Sequence, residues 1–272
     1  MPSIVPIDDP ADPRIAAYAA VRERDLVGRG DGFIAEGEVV LRVLLGSGSR
    51  AQAASLLVAE NRLARLAPLL DALAADIPVY AARQAVMDAV VGFHIHRGIL
   101  AHGLRPADPG AAALLAATPP QALVLALIGV ANHDNMGGLF RNAAAFGADA
   151  VLLDPTCCDP LYRKAIRVSV GAALKVPFAR LGPGEDVVAA LQAGGFAPLA
   201  LAPGAPERLA DMARPPRAAL LLGAEGPGLP ADILARARRL SIPMAAGWDS
   251  LNVAAASAVA LHELTRGQPR QA

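Results

Sequence analysis

Apolar and polar positions along the chain fall into two stretches of α/β pattern, divided by one proline-rich interval. In the first stretch, helical spacing covers residues 12–26. A short apolar strand follows at 32–35, then a helix at 36–45. Residues 54–58 read as a buried strand, 61–75 as helical, 77–80 as a strand, 83–91 as a short helix and 98–101 as a last strand. Alternation of this kind predicts a small α/β domain over residues 1–105. Residues 106–121, with four prolines among alanines, read as a linker or a linker holding a short helix.

The second stretch, 122–272, repeats the pattern more strongly. Its strand candidates are 122–129, 150–153, 198–202, 219–223 and 240–244, with helices between them and a closing helix over 250–264. Continuous apolar strands separated by helices predict a parallel sheet covered on both faces. Ligands of such sheets sit beyond the carboxyl ends of the strands. The loops after Gly129, Leu153, Leu201, Gly223 and Met244 are therefore the places to search.

Composition narrows the class. Hydrophobic residues make up 54% and charged residues 18% of 272 residues, which excludes an intrinsically disordered chain. Aromatics are only 4%, so the core is aliphatic. The N-terminal segment has no basic and apolar succession of a signal peptide, and the apolar run 122–130 is too short to span a bilayer. Cys157 and Cys158 are adjacent and offer no disulfide framework. A soluble cytoplasmic protein is the expectation.

Three of the loops are unusual. Residues 131–142 (ANHDNMGGLFRN) join a strand end to a helix, with Arg141 six positions after Asn135. Glycines there permit close backbone approach, and helix N-terminal amides favour anions. Residues 223–229 (GAEGPGL) surround Glu225 with three glycines and a proline. Residues 242–254 (IPMAAGWDSLNVA) hold the only tryptophan, then Ser250 and Asn252 at the mouth of an alanine-rich helix. Each has a plain reading as well: glycine-rich loops are common, Asp249 or Ser250 can cap a helix, and Arg141 can be a surface residue. The combination is more specific than any single loop. P-loop, dinucleotide-binding and nucleophile-elbow signatures are all absent. His94 and His96 lack companions for a metal site, and no metal is expected.

Asn135, Gly137 and Arg141, then LLLGAEGPGL with Glu225, then Ile242-Pro243-Met244 and Ser250-Leu251-Asn252-Val253-Ala254, follow one another in order. In this they resemble the three motifs of the SpoU/TrmH group of SPOUT RNA methyltransferases, over about residues 122–267. One departure is Asn132-His133-Asp134-Asn135, where many relatives carry a proline before the asparagine. More loosely, FIAEGEVVLRVLL, SLLVAE, IPVYAARQAVMDAVVG and GILA are similar to the family's ribosomal-protein-like RNA-binding domain.

The resemblance implies a trefoil-knotted SPOUT domain, a homodimer, and methyl transfer from S-adenosylmethionine to a ribose 2′-hydroxyl of structured RNA, ribosomal or transfer. It implies Arg141, Asn135, Glu225, Ser250 and Asn252 as catalytic residues. Arginine is a doubtful general base, so a phosphate clamp that lowers the hydroxyl's pKa suits Arg141 better. Glu225, acceptor only, would hold Arg141 or a substrate hydroxyl. The cofactor is expected on Leu201, Leu222, Gly223, Gly226, Ile242, Pro243, Met244, Leu251 and Ala254. Two other readings compete: a non-catalytic RNA-binding or ribosome-assembly protein that retains the fold, and a small-molecule methyltransferase. Intact Arg141, Glu225 and Asn252 weigh against the first, and the separate N-terminal domain against the second.

Net charge is zero, from 25 basic and 25 acidic residues, which at first argues against RNA. Residues 1–115 carry 11 basic and 13 acidic side chains, and residues 116–272 carry 14 and 12. All basic residues but Lys164 and Lys175 are arginines, which suit phosphate and stacked bases. Arg22, Arg24 and Arg29, and Arg163, Lys164 and Arg167, are candidate RNA contacts, although such groups also form solvated faces. A limited footprint is expected, with shape and dimerisation contributing more than long-range attraction.

Overall fold

The computed structural model describes residues 3–19, 32–248 and 250–267. Its elements run β1 Ile4–Ile7, β2 Gly32–Glu36, α1 Glu38–Leu45, β3 Gln52–Ala59, α2 Leu63–Leu70, β4 Val79–Ala82, α3 Gln84–Val91 and β5 Ile99–Leu104. They continue with α4 Ala111–Ala116, β6 Ala122–Leu127, α5 His133–Phe146, β7 Ala150–Leu153, α6 Arg163–Val168, β8 Phe178–Arg180 and α7 Val187–Ala193. The last are β9 Ala197–Leu201, β10 Glu207–Arg208, β11 Arg217–Leu222, α8 Ala231–Arg236, β12 Arg238–Ser241 and α9 Val253–Thr265. The chain divides into two compact units, residues 1–106 with 161–175, and 107–160 with 176–272.

The first unit holds a five-stranded sheet in the order β1-β4-β3-β5-β2. β1 and β3 run parallel to β4, whereas β5 runs antiparallel to β3 and β2. β3 is buried along its carboxyl half, where Leu57 packs with Tyr18, Met87, Ile95 and Leu100 in one core. The Tyr18 hydroxyl, buried there, bonds Ser55 Oγ at 2.7 Å, and burial pushes its pKa well up. The segment 161–175 belongs to this unit through Arg163, whose Nη1 donates to Glu36 Oε2 at 2.6 Å while the guanidinium lies over Phe93.

The second unit is an all-parallel, seven-stranded sheet in the order β10-β12-β9-β11-β6-β7-β8. Every residue of β6 is buried, as expected of a central strand covered on both faces. From β6 the chain passes through α5 to β7 on one side; from β11 it passes through α8 to β12 on the other. β6 and β11 are neighbours whose connections diverge, which makes a crevice at their carboxyl ends.

Residues 106–121 take the second of their two readings, a segment holding a short helix: Ala111, Leu114 and Leu115 form one apolar helical face and are buried in the second unit's core. Arg217 ties that helix down by donating to Leu115 O, Thr118 Oγ1, Pro119 O and Gly194 O. Residues 161–175, read as part of the C-terminal domain, group with the first unit. The helix expected over 61–75 is a 3-10 turn followed by α2, which ends at Leu70. β1, β8 and β10 are short and edge-bound or near the edge, too brief for periodicity to reveal.

Candidate functional site

At the end of β6, Asn132 caps α5, its Oδ1 accepting from the backbone N–H groups of Asp134 and Asn135. One turn in, Asn135 is only 6% exposed. Its Nδ2 donates to Glu225 Oε2 at 3.0 Å, and its Oδ1 accepts from Asn252 Nδ2 at 2.9 Å. Asn252 in turn caps α9, with Oδ1 accepting from Ala254 N and Ala255 N. A carboxylate only accepts, and the helix amides only donate, so the direction of this relay is set at both ends.

Glu225 sits on a turn closed by Gly228 N donating to Ala224 O at 3.0 Å. A side chain at Gly223 would meet the Gly228 carbonyl carbon at 2.3 Å, backbone that has no room to yield. Gly226 and Gly228 have φ of 90° and 70°, open to glycine without strain. The same economy brings α5 against α9. A β-carbon at Gly138 would lie 2.8 Å from that of Ala254, and Asn142 Nδ2 donates to Ala254 O at 2.7 Å and Ser257 Oγ at 2.8 Å.

Beside the relay lies a cleft of about 310 Å³. Of the cofactor candidates, Leu201, Leu222, Gly223, Gly226, Ile242, Met244 and Leu251 line it; Pro243 and Ala254 do not. Glu225, Ser250 and Asn252 line it too, and Asn135 reaches it through Glu225. Pro203, Gly228 and Leu229 also line it, all near residues singled out from sequence. Neither the capping role of Asn132 nor the helix bridge made by Asn142 was foreseen. An asparagine just before a helix was the available signal for the first; the second has only its helical register with Asn135.

Arg141 is exposed on α5, is not part of the cleft wall, and has no ion-pair or hydrogen-bond partner among the described residues. The expectation that Glu225 holds Arg141 is not met: Glu225 accepts from Asn135 instead. Among the RNA candidates, Arg163 is mostly buried and paired with Glu36, which removes it from a binding surface. Arg167 Nη1 stands 3.7 Å from the same carboxylate, and Lys164 is half-buried beside them. Arg22, Arg24 and Arg29 lie outside the described residues. Burial pushes the Cys157 thiol up to about 12 and the Cys158 thiol to about 11, so both are held as thiols. No helix among the described residues is long and apolar enough to cross a membrane.

A wholly parallel sheet with a glycine-bounded cleft beyond the carboxyl ends of β9, β11 and β12, walled on one side by Asn252 at the cap of α9, defines a class of α/β ligand-binding proteins. The chain belongs to the SpoU rRNA Methylase family, whose profile matches residues 122–262. It is 41% identical over 268 residues to an uncharacterized tRNA/rRNA methyltransferase of Mycobacterium bovis, covering 95% of this chain and 90% of that one. The fold is similar to that of an AdoMet-bound rRNA methyltransferase from Sinorhizobium meliloti, with TM-score 0.80, 23% identity and coverage of 98% and 99%. A solved RNA 2′-O ribose methyltransferase is similar at TM-score 0.77 and 26% identity, over 96% of this chain and 98% of that one.

Proposed function

We propose that the protein is an S-adenosylmethionine-dependent methyltransferase that modifies a ribose 2′-hydroxyl of structured RNA, ribosomal or transfer, in the cytoplasm. The observation that carries this reading is the Asn252–Asn135–Glu225 relay on the rim of an apolar cleft. Family membership and the 2′-O ribose methyltransferase of similar fold support it.

The cleft suits the cofactor in kind. Its volume, about 310 Å³, falls at the lower end of small-molecule sites. Leu201, Leu222, Ile242, Met244 and Leu251 offer an apolar slot for an adenine, and Gly223 and Gly226 bare the backbone for polar partners. S-adenosylmethionine supplies, when bound, a methyl group on a sulfonium. The chain's own residues do the rest. Glu225, with one oxygen already taken by Asn135, keeps lone pairs for a substrate hydroxyl. Ser250 and Asn252 orient the ribose from the mouth of α9. Arg141, free of internal partners among the described residues, grips a substrate phosphate and lowers the pKa of the hydroxyl to be methylated. Alignment of methyl and oxygen is the main catalytic task, and a rigid relay serves it.

The same reading includes a trefoil knot in the second unit, a ribosomal-protein-like RNA-binding role for the first, and a homodimer. Exposed Val259 on α9 and Leu251 beside the cleft give a partner subunit apolar surface to cover. The test is transfer of labelled methyl from S-adenosylmethionine to total ribosomal and transfer RNA, followed by nucleoside identification. A labelled 2′-O-methylnucleoside is expected. A base-methylated nucleoside would overturn the ribose assignment, and cofactor binding without any transfer would favour a non-catalytic RNA-binding protein.

A further inference from the structure

A second cleft, of about 400 Å³, opens in the first unit, bordered by Glu38, Val39, Arg62, Arg65, His96 and Arg97. Its charges are unequal. Glu38 is the one acid of that border, and it is already answered by Arg42 at 2.9 Å and Arg65 at 2.9 Å. Arg62 and Arg97 have no ion-pair partner among the described residues. Two unanswered guanidiniums facing one hollow form a site for an anion, since each presents a fork that matches phosphate oxygens.

The surroundings make room for them. Gly37 has φ of 94°, and a β-carbon there would stand 2.9 Å from Arg97 Nη1 and 3.0 Å from its Cδ. Gly98 has φ of 61°, and a β-carbon there would press on Ala59 at 2.8 Å and approach the Arg62 stem at 3.7 Å. Gly37 thus lets Arg97 lie close against the backbone, and Gly98 lets the chain turn beside Ala59 with the Arg62 stem in ordinary contact. Apolar and aromatic surface completes the cleft. Val39 is 58% exposed, and His96 packs edge-on against His94 with ring centroids 4.6 Å apart. Cationic forks beside a stacking ring and an exposed aliphatic group are what an RNA strand with splayed bases requires.

We propose that this cleft is the first unit's RNA grip: Arg62 and Arg97 hold a backbone phosphate, and the adjoining base lies against His96 and Val39. The proposal rests on the reading that the substrate is RNA, and it replaces the surface argued from sequence around Arg163, which is spent on Glu36.

The test uses the full chain, a fluorescein-labelled stem–loop RNA of mixed sequence, and anisotropy over a range of salt. Replacing both residues, Arg62→Gln with Arg97→Gln, is expected to weaken binding roughly tenfold. It should also lower the slope of log affinity against log salt by roughly 1 to 2. Affinity for S-adenosylmethionine by calorimetry should be unchanged. The double lysine variant, Arg62→Lys with Arg97→Lys, should keep the salt slope and still bind less tightly. Arg83→Gln, outside the cleft, should bind as the parent does. Unaltered RNA affinity and slope in the double glutamine variant would overturn the proposal, as would an equal loss in Arg83→Gln. A parent protein that binds S-adenosylmethionine but not RNA would instead defeat the RNA reading itself, and this grip with it.

Discussion

Asn135 and Glu225, ninety positions apart in sequence, meet in a 3.0 Å hydrogen bond that joins the first turn of α5 to the loop after β11. Because Asn135 also accepts from Asn252, both ends of its amide are engaged, and turning it over would set two donors and two acceptors face to face. Asn135→Ala should therefore cost about 1–3 kcal/mol of stability by leaving partners unsatisfied. It should lower kcat for methyl transfer more than it raises KM for RNA. Urea unfolding and steady-state kinetics check both; a normal kcat would remove Asn135 from the machinery.

Arg141 has the opposite profile, since it is exposed and makes no internal ion pair among the described residues. Arg141→Ala should leave stability within about 0.5 kcal/mol of the parent. Cofactor affinity should stay the same while methyl transfer is lost. Arg141→Lys should recover little of it, because a lysine cannot grip a phosphate with two parallel bonds. Near-normal transfer in the alanine variant would contradict the phosphate-clamp role.

The Arg163–Glu36 pair is the reverse case, a cation that sequence pattern offers to RNA and the fold keeps inside. With side-chain exposures of 16% and 7%, the two charges depend on each other. Removing one, as in Glu36→Ala, should cost about 3–5 kcal/mol, because Arg163 is left without its nearest counter-charge. Thermal unfolding of the two single variants and the double one would show a strong coupling. Additive losses would mean that the pair is not a unit.

Cys157 bears on alkaline stability. Its thiol titrates near 12 in the folded chain and near 9 when exposed, so the unfolded state loses its proton first as pH rises. The stabilisation is complete below about pH 9 and declines as pH climbs toward about 12. Cys157→Ala should flatten the part of that decline owed to the thiol, with Tyr18 contributing in the same alkaline direction. In the native protein at neutral pH, alkylation by iodoacetamide should be far slower than in urea. Equal rates would show that the thiol is not buried.

Periodicity was sufficient where strands are apolar throughout and interior to the sheet. β6, β7 and β11 are continuous apolar runs, and the loop after β11 carries Gly223, Glu225, Gly226 and Leu229 of the cleft wall. It failed where structure depends on distant partners. Nothing local to residues 161–175 announces that Arg163 will bind Glu36, 127 positions away. The alanines of α4 looked like spacer because their helix owes its place to Arg217, about a hundred positions later. The relay was half legible: its members stood out by residue type and loop position, but their order became visible only when α5 and α9 were brought together. The basic cleft of the first unit was not legible, since Arg62 and Arg97 are isolated in sequence and form no charge run.

Asn252 starts α9 and also supplies the first donor of the relay, so completion of the fold and assembly of the site coincide. A chain in which α9 has not closed against α5 therefore lacks the donor that fixes the Asn135 amide, and Glu225 is left facing a side chain free to turn.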